Sequence, residues 1–263
     1  MRNLLNKIVK YPSYLRGAPA KRRHDDLFVV EYPKSGITWL SFILANVMAL
    51  RRGEGREVTF FNVSHFIPPV RKSRHIPVPR SWPGFRIIKS HEPFNPLYGN
   101  VVYLVRDPVS VMRSFFRMQI GLGLYSGELD GFVRHGAYGV QAWRQHVRGW
   151  VEKTAADTRM YYLRFEDLRS DPVRTVGMLL DAYGLRVSRD EIEMAVEKSD
   201  LDNMRRLEEQ RIEMDVRRRV GRFGSGYRFV REGALDASTE MSPDVVSYIR
   251  DTTKVEREWF GYD

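Results

Sequence analysis

Leu27-Phe28-Val29-Val30-Glu31-Tyr32-Pro33-Lys34-Ser35-Gly36-Ile37-Thr38-Trp39-Leu40 divides into two parts with different chemistry. Leu27 to Tyr32 is a short apolar, β-branched run of the kind that fills a buried parallel strand. Downstream, Leu40, Ile43, Leu44, Val47 and Met48 recur at helical spacing and define one apolar face to pack on a sheet. Pro33 to Leu40 therefore joins a strand to a helix, where backbone N–H groups and the helix dipole converge on a phosphate. Gly36 permits close backbone approach, Lys34 adds a mobile charge, and the Ser35 and Thr38 hydroxyls are potential donors. The nucleotide triphosphatase pattern GxxxxGK[ST] is absent, because the lysine precedes the glycine. On this stretch alone an ordinary strand-to-helix turn stays open beside a phosphate loop.

The same alternation continues outward. Arg86 to Ser90 and Val101 to Val105 read as buried strands, and the second runs into Arg106-Asp107-Pro108 and a helix from Pro108 to about Ile120. Val140, Trp143, Val147, Trp150 and Val151 mark another amphipathic helix, followed by a strand-like Met160 to Phe165. Ser188 and Glu191 form a capping box that opens a helix toward Lys198. Strands alternating with helices predict a P-loop-like, doubly wound parallel α/β sheet flanked by helices. A basic N-terminal arm over 1–26 precedes a single domain over 27–263. Residues 60–84, 121–139 and 221–233 carry no clear period and are expected at the mouth of a site.

The 263 residues, 43% hydrophobic and 29% charged, suffice for a cored globular domain and exclude a disordered or fibrous chain. With no cysteine, thiolate chemistry, disulfides and thiolate zinc sites are excluded. The formal charge is +10, and 34 of the 43 basic residues are arginine. Guanidinium excess points to a polyanionic ligand, a nucleic acid or an acidic surface, or else to a compositional habit. No apolar run is long enough for a transmembrane helix. The N-terminal segment lacks the apolar core of a secretory signal, and reads as an arm touching a membrane surface or as a frayed terminus. A cytoplasmic location is expected.

Three motifs then give a specific resemblance. PKSGITWL is similar to the PKSGTTWL phosphosulfate loop of sulfotransferases that use 3′-phosphoadenosine 5′-phosphosulfate (PAPS). YLVRDPVSVMRSFF, Tyr103 to Phe116, resembles the family's 3′-phosphate motif, with Arg106 and Ser114 at its two ligand positions. Lys89-Ser90-His91-Glu92-Pro93 resembles its K-[ST]-H-x-P segment, which implies His91 as catalytic base and Lys89 as an electrostatic auxiliary. The resemblance further implies that Lys34, Ser35, Gly36, Ile37, Thr38 and Trp39 hold the cofactor, with Trp39 against the adenine.

Downstream matches are looser. LRFEDL has Phe165 where the family has a nucleotide-contacting tyrosine, and SDLDNM puts Ser199 at a base-contacting position. RVGRFGSGYR resembles the RKGxxGDWK segment that closes over the 3′-phosphate. Arg219 and Gly221 match, Val220 replaces the lysine, and Tyr227 stands for the tryptophan; Arg218 and Arg222 flank Arg219 closely enough to share its role. The family's K-x-x-x-T-V-x-x-x-E dimer motif is not found near the C-terminus, so its oligomeric state is not carried over.

The resemblance implies sulfuryl transfer to an acceptor hydroxyl of a small molecule, lipid or saccharide, or to an amine, with Lys34 on the leaving oxygen and no metal. His24, His65, His75, His135 and His146 lie outside any motif and read as surface or structural; Trp143 and Trp150 read as core. Phe60, Phe61, Phe66, Arg71, Lys72, Arg74 and Arg80 are acceptor-side candidates or a solvated loop. Two rival classes remain: a P-loop nucleotide kinase or triphosphatase, and a basic nucleic-acid-binding protein.

Overall fold

A computed structural model of the chain describes residues 23–70, 86–154, 158–218, 228, 230 and 241–262, with backbone alone over 214–218. The N-terminal arm up to residue 22 and the segment carrying Arg71, Lys72, Arg74 and Arg80 lie outside the described residues, as do Arg219, Gly221, Arg222 and Tyr227. The described chain builds a four-stranded parallel sheet in the order β2-β1-β3-β4, from β1 (Asp26–Glu31), β2 (Arg86–Ser90), β3 (Asn100–Val105) and β4 (Arg159–Arg164).

Side chains alternate across the pleat and feed two cores. Leu27, Val29, Ile87, Val102, Leu104 and Leu163 point to one face, covered by α1 (Ile37–Arg51), α7 (Pro172–Ala182), α8 (Arg189–Glu197) and the first turns of α9 (Leu201–Arg218). Phe28, Val30, Ile88, Val101, Tyr103 and Val105 point to the other, covered by α3 (Pro108–Gly121), α4 (Leu129–Val133), α5 (Val140–Glu152) and α10 (Pro243–Thr252). Burial on both faces explains why β1 and β3 read as near-continuous apolar runs. Trp143 and Trp150 are fully buried in the second core, as their spacing predicts.

The structure refines several expectations. Phe165 opens the short helix α6 (Phe165–Ser170) instead of ending β4. Residues 121–139 contain α4, whose Phe132 sits among Phe115, Phe116, Tyr125 and Tyr138; aromatic packing holds this segment where no period is legible. Residues 60–84 contribute α2 (Val63–Phe66), and Pro69 pairs with Lys89 along β2. A last short helix, α11 (Lys254–Trp259), follows α10. The capping box is present: Ser188 Oγ accepts the Glu191 N–H, and the Glu191 carboxylate accepts the Ser188 N–H.

Adjacent in register at the start of β1 and β2, Asp26 and Arg86 form a buried fork, with Nε and Nη2 each donating to a carboxylate oxygen at 2.5 and 2.7 Å. Removing one partner of a buried ion pair costs about 3–5 kcal/mol because the other stays charged and dry. Asp26→Ala is expected to lose that much in denaturant unfolding, and Asp26→Ala with Arg86→Met to recover most of it. A loss under ~1 kcal/mol in the single variant would show that the pair does not hold the edge strand.

Strand order reverses between β1 and β3, and in open α/β sheets ligands bind beyond the carboxyl ends of the strands at such a switch point. The loop after β1 and the Arg106 turn after β3 both emerge there.

Candidate active site

The loop from Pro33 to Gly36 turns through two left-handed residues, Lys34 at φ 80° and Gly36 at φ 117°. Ser35, between them, is buried; its N–H and Oγ both donate to the Tyr32 carbonyl, at 3.2 and 2.9 Å. The Ser35 hydroxyl thus braces the loop. No side chain caps α1 at Gly36, so the Thr38 and Trp39 N–H groups of its first turn have no intrahelical acceptor. Thr38 is exposed beside them. Such a turn leading into a helix is a cradle for an anion.

Gly36 is required by two independent constraints. Its φ suits no L side chain, and a Cβ there would lie 2.5 Å from Phe165 Cδ2. Phe165 in turn lies under Arg106, whose Cζ sits 4.3 Å from the ring centroid. Gly36→Ala is expected to displace this ring and weaken nucleotide binding at least about tenfold, given strain of order 1–3 kcal/mol at such positions. Calorimetry with 3′-phosphoadenosine 5′-phosphate checks this; unchanged affinity would detach the loop from the site.

Arg106 links the two turns: its Nη1 donates to the Lys34 carbonyl at 3.4 Å. Its Nε is buried without an acceptor among the described residues, and burial pulls the guanidinium's pKa down. A dry cationic donor left unsatisfied at the carboxyl edge fits an anionic oxygen better than a purely structural role. The backbone around it is fixed by Asp107, which caps α3 by accepting the Ser110 N–H, and by Glu166, which accepts the Asp107 N–H at 3.1 Å. Glu166 is held by the Tyr262 hydroxyl at 2.7 Å, so the C-terminal tail braces the turn. Ser114 lies in the second turn of α3, half-buried.

His91 follows β2, its side chain 48% exposed, with Nδ1 3.6 Å from Glu31 Oε1. The Glu31 carboxylate, on β1, is buried at 2% exposure. Oε2 accepts the Ile37 N–H at 2.7 Å, and the Lys34 main chain contributes a further hydrogen bond. Burial pushes the Glu31 carboxyl up to about 7, opposed by the Ile37 N–H and by Lys34 and Lys89. The loop carrying His91 is pinned from behind, where the Glu92 carbonyl accepts from His146 Nε2 at 3.0 Å and from the Trp150 indole at 3.2 Å. A carbonyl only accepts, so His146 carries its proton on Nε2 and its Nδ1 accepts from the Tyr103 hydroxyl at 2.8 Å. Burial drives the His146 pKa down to about 4 and keeps it neutral. Lys89, partly buried, precedes His91 in β2 and bonds through its main chain to Pro68 and Val70.

Trp39 is half-buried, edge-on to Phe165 at 6.2 Å, and its indole N–H donates to the Ser199 carbonyl at 2.9 Å. Ser199 itself is fully buried, its hydroxyl donating to the Ala195 carbonyl and accepting from Asn46. Its carbonyl thereby helps to position the Trp39 ring. Phe60 and Phe66 pack into the α1 core, and of the three phenylalanines only Phe61 is exposed. Among the described residues no cluster of three or more His, Asp or Glu is placed to hold a metal, and no helix is long and apolar enough to cross a membrane.

Two groups at the site lie outside every motif, Glu31 and His146, and Glu166 lies within LRFEDL with no role read for it. Glu31 alone left a trace, as the one charge within an apolar run.

The site thus joins a glycine turn after β1 to a buried arginine at the end of β3 on a parallel α/β sheet. The chain belongs to the sulfotransferase family: the family profile described as "Sulfotransferase domain" matches residues 24–258. It is 25% identical over 227 residues to the amine sulfotransferase of Oryctolagus cuniculus, covering 81% of this chain and 74% of that one. Its fold is similar to that of a retinol dehydratase in complex with androsterone and the inactive cofactor PAP, with TM-score 0.66, 19% identity, and 93% and 85% of the two chains covered. Mouse sulfotransferase SULT7A1, complexed with PAP, superposes with TM-score 0.63 at 18% identity over 93% and 88% of the chains. The chain is thus an enzyme of the sulfotransferase class with a single α/β domain.

Proposed function

We propose that the donor is PAPS and that the enzyme passes its sulfuryl group in line to an acceptor hydroxyl or amine. The observation that carries this reading is the Arg106 bridge: one buried guanidinium bonds the Lys34 carbonyl of the anion loop and keeps Nε for a second anionic group. Two anion positions tied together suit a nucleotide phosphorylated at both ends of its ribose.

In this reading the Gly36 to Trp39 backbone cradles the 5′-phosphosulfate and the Trp39 face meets the adenine. Arg106 and Ser114 take the 3′-phosphate, with Arg219 and Gly221 as the motif-matched partners outside the described residues. His91 accepts the acceptor's proton as the acceptor oxygen or nitrogen bonds to sulfur. The bond from sulfur to the phosphate oxygen breaks, its electron pair stays on that oxygen, and Lys34 stabilises the charge with Lys89 nearby. Positioning and electrostatics supply most of the rate, as in phosphoryl transfer. A relative named for amines and a neighbour holding a steroid alcohol support testing both acceptor classes.

A thermal-shift comparison of 3′-phosphoadenosine 5′-phosphate, ATP with Mg²⁺, and duplex DNA tests the donor assignment. A ligand at a hundred times its Kd stabilises by about 2.7 kcal/mol. Stabilisation by the first ligand, with no metal added, is expected. Stabilisation by ATP with Mg²⁺ alone would favour a kinase-like donor, and by DNA alone a nucleic-acid-binding role.

A further inference from the structure

We propose that Glu31 is the positioning residue of the base. Its carboxylate, tied to the donor loop by the Ile37 N–H, faces His91 Nδ1, fixes the ring, and stabilises the imidazolium formed when the acceptor loses its proton. The inference deepens the function proposed above and rests on His91 being the base.

A carboxylate inside an apolar strand is costly unless its neighbours need it. The main-chain position of Glu31 in β1 pairs with Leu104 of β3, and nothing in that pairing calls for a charge. Among the described residues, the groups facing its carboxylate are Lys34 and the Ile37 N–H from the loop, Lys89 from β2, and His91 beyond it. Tyr103 from β3 and Arg106 past its end also feel its charge. Lys34, Lys89 and the Ile37 N–H favour the charged form of Glu31, which its burial opposes.

Glu31 is too buried to meet an acceptor, whereas His91 is half exposed. The imidazole has its two nitrogens on different edges. With Nδ1–H directed at Glu31, Nε2 is the nitrogen that takes the acceptor's proton, the arrangement by which a third group orients a base. The 3.6 Å separation exceeds a hydrogen bond; catalytic contacts are commonly long before substrate binds and tighten in the complex. Because Oε2 holds the Ile37 N–H while Oε1 faces His91, one side chain couples the geometry of the donor loop to that of the base.

An opposite charge at this range raises a base's proton affinity by tenfold or more. In Glu31→Gln, whose side-chain oxygen can still accept the Ile37 N–H, the negative charge facing His91 Nδ1 is removed. Its Cε1–H NMR resonance, assigned by its loss in His91→Ala, is expected to titrate at a pH about 1 lower than in the wild type. An unchanged midpoint would overturn the proposal. The coupling is reciprocal, so in His91→Ala the Glu31 carboxyl ¹³C resonance should titrate at higher pH than in the wild type. That second measurement decides the matter if Glu31→Gln does not fold, and an unchanged Glu31 midpoint overturns the proposal equally. In turnover, Glu31→Gln should move the ascending limb of the rate profile to lower pH and lower the plateau about tenfold or more. Glu31→Asp should fall between. The titrations use neither donor nor acceptor, so a failed pairing is distinguishable from a wrong donor assignment, which would show as no binding of 3′-phosphoadenosine 5′-phosphate to the wild type.

Discussion

His91→Ala is expected to lower sulfuryl transfer by about 10²–10⁴-fold, the range typical for loss of a general base, while 3′-phosphoadenosine 5′-phosphate raises the melting temperature as in the wild type. An alcohol is a weak nucleophile at neutral pH, and histidine is the side chain whose ordinary pKa suits removal of its proton there. The geometry separates catalysis from folding at this residue. His91 is half exposed and outside both cores, and its loop is held through the Glu92 carbonyl by His146 and Trp150, which the substitution leaves in place. The ascending limb of the wild-type pH profile should also disappear. Single-turnover rates with saturating donor check this; full turnover in His91→Ala would move the base elsewhere.

Arg106→Ala is expected to weaken 3′-phosphoadenosine 5′-phosphate by at least about tenfold and adenosine 5′-phosphate much less. Charge-assisted hydrogen bonds contribute roughly 1.5–3 kcal/mol each, and Arg106 has a buried Nε still unsatisfied among the described residues. Because its Nη1 also holds the Lys34 carbonyl, a small loss for both nucleotides is expected on top of the selective one. Arg106→Lys keeps charge but not the fork, and should recover only part of the difference. Calorimetry with the two nucleotides measures it, and equal losses for both would place the 3′-phosphate elsewhere.

Much of the frame was legible because local chemistry dictated it. The Leu27 to Leu40 stretch gave strand, loop and helix; Ser188 with Glu191 gave a helix start; the Trp143 and Trp150 spacing gave a buried face. Other parts depend on contacts distant in the chain. Phe165 looks like the last residue of a strand, yet the chain turns helical there, its ring packed against the Gly36 loop. The 18 residues of α9 are mostly charged, and among those whose side chains are described Met204, Leu207 and Glu208 are the buried ones, which leaves little apolar period to read. Ser199 matches a motif position, and what its sequence context does not show is its burial, with the hydroxyl bonded to Asn46 and Ala195 and the carbonyl taking the Trp39 indole N–H. Glu31 and Glu166 show the limit most clearly: the meaning of each lies in a partner 60 or 96 residues away, His91 and Tyr262.

The reaction proposed for this enzyme is transfer of a sulfuryl group from PAPS to an acceptor held at His91. Incubating the purified enzyme with PAPS and a library of alcohols and amines, and following both products by mass spectrometry, tests it most directly. The expected result is an acceptor gaining one sulfo group in equal amount with 3′-phosphoadenosine 5′-phosphate, without added metal and lost in His91→Ala. A phosphorylated acceptor formed from ATP, with none sulfated from PAPS, would contradict it.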